Sequence, residues 1–300
     1  MLLRRLPAIA ALTLVALAGC EGPGSEPTGR TDAETATPTQ TAAPGPERKW
    51  TRGYPNSIAV LGHSGATGEN SDLDQPGVEV RENSWATGTN SEVNSVYLRI
   101  LERNPAIEGQ NVNYAEASAT IDQVAAQADR LLGNDPDTDL ILIQVMDNDL
   151  TCPLDTTALD DFRARVIAML QNLDRSAPNS SLFVVSQFGS VPTYARSLTR
   201  DERASQGGTG PCDFMTPTGD IARKKVRRLE RAIHAYEGAL EAACEQAQRC
   251  SYDSGAFAGI VDRREYLSDD LNHLSIEGHA NAAAVTWNAM HRAGVLPRTR

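Results

Sequence analysis

Positive charge is scarce in this sequence: 28 Lys and Arg stand against 39 Asp and Glu, a formal charge of −11 over 300 residues. Binding a nucleic acid takes clustered cations to neutralise phosphates, so that class of partner is excluded. The single basic run, Lys224, Lys225, Arg227 and Arg228, falls on the polar face of a helical segment and reads as solvated surface. Metal ligation has as little support, because no Cys-x-x-Cys pair and no paired-histidine spacing occurs. Asp147 and Asp149 flank Asn148, but a hard cation takes about six to eight oxygens. The two carboxylates therefore read as solvated turn residues, and no cofactor is expected. The apolar run between Leu6 and Leu17, broken by Pro7 and Thr13, falls short of the roughly 20 residues that span a bilayer. There is no internal repeat.

What the first residues do contain is a basic start at Arg4 and Arg5, that short apolar stretch, and the small-residue exit Ala18, Gly19, Cys20. This order is that of a secretory signal and resembles a bacterial lipobox. Residues 1–19 are therefore expected to be a lipoprotein signal peptide, with Cys20 carrying lipid as the mature amino terminus. That makes the membrane a partner and puts the domain on the extracytoplasmic side of a bacterial cell membrane. Losing Arg4 and Arg5 with the leader leaves the remainder two units more negative. Residues 20–49 are Pro, Thr, Gly, Ser and Ala with scattered charge, too poor in apolar bulk to offset ordering entropy, and read as a disordered tether. Residues 50–300 are read as one folded domain, expected to be monomeric. Its four cysteines, Cys152, Cys212, Cys244 and Cys250, are even in number, as in an exported disulfide-bonded protein. Three pairings exist; Cys244–Cys250 and Cys152–Cys212 are preferred, the first closing a helix end and the second tying two long loops.

Within the domain, strand and helix periods alternate. Residues 57–61 and 182–185 are short apolar runs, and residues 140–145 are continuously apolar, as for strands covered on both faces. Residues 110–114 and 250–252 read as weaker strands. Apolar steps of three and four predict helices over 93–103, 121–132, 155–173, 221–248 and 276–292. The alternation implies a parallel sheet between layers of helices, α/β, with reactive groups at the carboxyl ends of its strands.

Three sequence stretches carry chemistry. The first strand runs into Gly62-His63-Ser64-Gly65-Ala66-Thr67-Gly68, where a serine between glycines presents a hydroxyl and backbone N–H groups. No Lys-Ser/Thr pair makes this a P-loop. The third strand ends at Met146-Asp147-Asn148-Asp149, where the Asn148 amide is a candidate oxyanion donor. Near the chain's end, Asp270-Leu271-Asn272-His273 puts a carboxylate and an imidazole on one side of a turn. Asp270 can then fix the tautomer of His273 and leave the other ring nitrogen for Ser64. His234, His279 and His291 fall on helices and have no catalytic part; Trp85 and Trp287 read as packing.

Together these stretches resemble the SGNH, or GDSL, hydrolase family, over about residues 57–291 and with the blocks in the family's order. Residues 58–68 resemble its Gly-Asp-Ser-x-x-x-Gly block, Asn148 its Gly-x-Asn-Asp block, and Asp270 to His273 its Asp-x-x-His block. The resemblance implies a three-layer α/β/α sandwich on a five-stranded parallel flavodoxin-like sheet. It also implies metal-free cleavage of an ester substrate, whether lipid, glycan or small molecule. Acyl transfer by the same triad, or a binding lipoprotein without catalysis, are the alternatives. Carried over by position, Ser64 is the nucleophile, His273 the base and Asp270 its orienter. The oxyanion donors are the Ser64 N–H, the Asn148 amide and an N–H of the second block. There Asn113-Tyr114-Ala115-Glu116-Ala117-Ser118 puts Ser118 at a usual glycine, with Gly88 as the alternative. The sequence departs from the pattern at His63, which stands for the usual aspartate and is expected to fill its space beneath the sheet. It departs again at Met146-Asp147, where a glycine normally precedes Asn-Asp.

Overall fold

The computed structural model describes residue 50 and residues 53–297. The expected signal peptide, the Cys20 lipidation site and the 20–49 tether lie outside the described residues. Five strands, β1 (Ile58–Gly62), β2 (Asn111–Asn113), β3 (Leu140–Gln144), β4 (Ser181–Val184) and β5 (Cys250–Tyr252), form one sheet in the order β2-β1-β3-β4-β5. All pairings are parallel, with Val60 opposite Leu142 and Ile143 opposite Val184. The apolar runs of β1, β3 and β4 are wholly buried, because helices cover both faces of the sheet.

Each strand divides its side chains between two cores. Ala59, Leu61, Ile141, Ile143, Leu182 and Val184 face one layer, and Ile58, Val60, Leu140, Leu142 and Phe183 face the other. The first layer holds α3 (Ile121–Asn134), α4 (Thr156–Ser176) and α7 (Arg223–Cys244), which bury Val124, Leu131, Phe162, Leu170, Tyr236 and Leu240. The second holds α2 (Val96–Leu101) and α8 (Ile276–Arg292), which bury Tyr97, Ile100, Ala283 and Met290 around Trp85 and Phe257. Three short helices, α1 (Ser64–Thr67), α5 (Val191–Ser197) and α6 (Arg200–Ser205), lie in the connections. The expected three-layer sandwich and five-stranded parallel sheet are both present.

Sequence signals match the observed ends. Ser275 caps α8 by accepting from Gly278 N, and Thr120 with Gln123 forms a capping box on α3. The helix expected over 93–103 starts three residues later than its apolar spacing indicates, as α2. Asn94 turns left-handed at φ 46°, and the Ser95 hydroxyl caps the helix by accepting from Leu98 N. Cys152–Cys212 and Cys244–Cys250 are the two disulfides, as preferred from the sequence.

Strand order reverses direction at β1: β2 lies on one side and β3 on the other. Ligands of such sheets bind beyond the carboxyl ends of the strands at that switch point. The end of β1 is pinned there by the buried Gln127 amide of α3, which accepts from Gly62 N at 2.7 Å and donates to Gly62 O at 2.9 Å.

Candidate active site

Ser64 is separated from the end of β1 by His63 alone and opens α1, where its N–H and its hydroxyl find no partner among the described residues. His63 fixes this turn. It is 3% exposed, and its Nδ1 accepts from Gly65 N at 3.1 Å, so the proton of the neutral ring sits on Nε2. That nitrogen lies 3.2 Å from Asp147 Oδ2, past the end of β3. The expectation that His63 fills space beneath the sheet is thereby corrected. It lines the cavity described below, caps α1 and joins the first block to the third. Gly65 lets the turn approach its neighbours closely: a Cβ there would meet Gln144 Nε2 at 2.7 Å and His63 Cε1 at 3.0 Å, so those side chains would have to shift. Trp85 closes the floor, its indole N–H facing Gly65 O at 3.1 Å and Gln144 Oε1 at 3.2 Å.

The loop after β3 brings Asn148 to the same place. Its Nδ2 donates to Ala119 O at 3.0 Å, leaving a second amide hydrogen. Asp149 beside it accepts from Ile121 N and so ties the loop to the start of α3. Burial pushes the Asp149 carboxyl up to about 6, against the Ile121 N–H, which pulls it down. Met146, 1% exposed, adopts φ 133° at the point where the family pattern has glycine. A bulky residue there stores backbone strain.

At the far end of the chain, His273 Nδ1 lies 2.6 Å from Asp270 Oδ2. Asp270 also accepts from the N–H groups of Asn272 and His273 at 2.9 Å and from Ser268 Oγ at 2.6 Å. Asn70 Nδ2 donates to Oδ2 at 2.7 Å. Burial acts to raise this carboxyl, but the donors outweigh it and hold Asp270 well below the usual carboxylate range. Leu271, between the pair, is left-handed at φ 59°, and its carbonyl accepts from Tyr194 OH at 2.6 Å. Burial, then the charges of Asp262 and Asp270, pushes the Tyr194 hydroxyl up to about 12.

Ser64, Asn148 and His273 line one cavity of about 400 Å³ at the carboxyl end of the sheet. The structure thus gathers the three expected blocks around a single opening. It does not bring the second-block residues to that lining. Ser118 is exposed and left-handed at φ 60°, as a glycine position would be, but stands outside the cavity wall. Gly88 lies in a buried turn whose N–H already donates to Ser84 O at 3.0 Å. What the site offers an oxyanion is the Ser64 N–H and the Asn148 amide.

Two neighbours of the imidazole were not legible in the sequence. Glu69 Oε2 is 3.4 Å from His273 Nε2, where a serine hydroxyl stands in a closed triad, and Asn70 buttresses Asp270 from behind. Both follow the Gly68 turn and meet His273 only through the fold; no local pattern marks them. Of the remaining histidines, His279 is 1% exposed on α8 and burial pushes it down to about 3, so it is neutral and takes no part. His234 and His291 likewise lie on helices away from the lining.

No family model matches this sequence, and no curated protein matches it. Solved structures do. The lipase Lip_vut3 from a goat rumen metagenome is 14% identical, over 81% of this chain and 99% of that one, with a TM-score of 0.51. Axe2, an acetylxylan esterase from Geobacillus stearothermophilus, is 12% identical over 81% and 96%, at 0.47. A GDSL-like lipase from Parabacteroides merdae is 17% identical over 80% and 95%, at 0.43. At such identities the likeness speaks to the fold, and the first match carries it.

Proposed function

We propose that this chain, which has the SGNH-hydrolase fold, is a serine hydrolase of carboxylic esters. The observation that carries the reading is the 2.6 Å pair of His273 and Asp270 on the cavity that also holds Ser64. With Nδ1–H donated to Asp270, the free lone pair of His273 is on Nε2, the nitrogen a general base uses. Ser64 Oγ attacks the ester carbonyl while Nε2 takes its proton, and the oxyanion meets the Ser64 N–H and the Asn148 amide. The tetrahedral species collapses as the imidazolium protonates the leaving alcohol, and water then cleaves the acyl-serine by the same steps. Glu69 Oε2 faces Nε2 at 3.4 Å in the resting site; a carboxylate and a ring lone pair do not bind each other, so Glu69 gives way to Ser64 when substrate enters, and catalytic hydrogen bonds commonly tighten only with substrate bound.

A serine-directed alkyl phosphonate is expected to modify folded protein at Ser64 with one-to-one stoichiometry, read by peptide mass. Protein of unchanged circular dichroism that stays unlabelled after prolonged exposure overturns the assignment.

The same proposal puts the domain outside the cytoplasm on a lipid at Cys20. The residue order up to Cys20 supports it, as do the two disulfides, which persist in oxidising compartments. Fractionation of expressing cells is expected to find the wild type with membranes and Cys20→Ser in the soluble fraction. An unaltered distribution removes the anchor from the proposal.

A further inference from the structure

Helix α7 carries two apolar side chains that stay half-buried, Ile233 packing against the edge of the core. Tyr236, Leu240 and Ala243 are buried in the core against the sheet, but Leu229 and Ile233, one turn apart, are only half-buried. Both face the cavity that contains Ser64, and half-buried Phe214 and Leu150 face it as well. Four large apolar groups left incompletely covered at one opening forgo burial worth about 25 cal/mol per Å². Water is a poor occupant for such a wall.

The wall is also held in place. Phe214 lies two residues from Cys212, which is bonded to Cys152, and Leu150 stands two residues before Cys152 on the loop that carries Asn148. The disulfide therefore fixes Phe214 relative to the oxyanion loop. The cavity lining contains the carboxylates of Asp147 and Asp262 and no Lys or Arg, with Glu69 and Asp270 set around His273. Anionic groups are repelled from such a site, and a carboxylic acid product is driven out of it.

We infer that Leu150, Phe214, Leu229 and Ile233 form the acyl-binding wall, and that the substrate is an uncharged ester of a medium-length acyl chain. This rests on the proposed hydrolase reading and specifies its substrate. A volume of about 400 Å³ lies at the small end of ligand pockets. Shared between the acyl chain and the alcohol portion of an ester, that volume suits an acyl chain of about six to eight carbons, and a long fatty acyl group extends past the wall.

The test is a series of p-nitrophenyl esters on the full folded protein. A fully buried methylene is worth about fourfold in affinity, and the wall is half open. The kcat/KM for octanoate is accordingly expected to exceed that for acetate by at least about tenfold, and to fall again at palmitate. An ester of octanoate length ending in a free carboxylate is expected at least about tenfold below octanoate itself. In Leu229→Trp, which fills the wall from a half-exposed position, the octanoate-to-acetate ratio is expected to drop about tenfold, and Ile233→Ala is expected to lower it several-fold with no added bulk. Turnover that is equal or greater on acetate, or a ratio unmoved in both folded variants, overturns the acyl wall and leaves the hydrolase reading standing. No turnover at any chain length, with Ser64 unlabelled by phosphonate, overturns both together.

Discussion

Ser64→Ala is expected to lower kcat for a p-nitrophenyl ester by about 10⁵- to 10⁶-fold, the loss seen when a triad nucleophile is removed. The variant keeps the backbone N–H at position 64 and the Asn148 amide. A residual rate of about 10³-fold over water is therefore expected from oxyanion binding alone. Stability is expected to stay within about 0.5 kcal/mol, because the Ser64 hydroxyl has no hydrogen-bond partner among the described residues. Steady-state kinetics beside a thermal melt separates the two effects. Retention of a tenth of wild-type kcat at unchanged melting temperature would remove Ser64 from the chemistry.

Asp270→Asn is expected to cost about 10⁴-fold in kcat, since an amide cannot hold the imidazole in the tautomer with its proton on Nδ1. Here the variant is also expected to be less stable. Asp270 receives donors on both oxygens: Asn70 and the His273 ring on one, Ser268, Asn272 N and His273 N on the other. Whichever way the new amide turns, its NH₂ faces donors, at a cost of about 1–3 kcal/mol for buried groups left unpaired.

The pH dependence has a definite sign. The Asp270 carboxyl is depressed in the folded state. Its stabilisation is therefore complete above the ordinary carboxylate value of about 4 and is lost as pH falls through its own lower one. Urea unfolding of wild type and variant is expected to show a constant gap near neutrality that narrows in acid. A gap that widens below pH 4 contradicts the hydrogen-bond account of Asp270.

Most of the fold could be read from the chain because its central strands carry strong patterns. Residues in β3, Leu140 to Ile143, are apolar without a break, which only a sheet covered on both faces accommodates. The helix over 276–292 is bounded by a serine cap and by Arg292 and matches its predicted span to the residue. By contrast α5 and α6 fall in a stretch that reads as polar loop, and α6, Arg-Asp-Glu-Arg-Ala-Ser, buries nothing. Such a helix has no apolar stripe for periodicity to find. Leu229 and Ile233 have the spacing of core residues, and only the fold shows that both also line the cavity.

In the site, the pairs legible in the sequence are those close along it. Asp270 and His273 are three residues apart and meet as their spacing indicates. Ser118 stands where a short motif resembles the family's second block, and its left-handed backbone fits the pattern while its position does not reach the opening. His63 looks like a simple replacement for an aspartate. Only the three-dimensional arrangement shows it accepting a hydrogen bond within α1 and touching Asp147 across the switch point.

The bond from Asn70 to Asp270 joins positions 200 residues apart. Every strand of the sheet other than β1 is threaded between these two positions, so the two ends of the site meet only across a sheet built from the segments between them. Under the proposed function, a chain clipped before its final segment is expected to be inactive toward esters, however much of its sheet has formed.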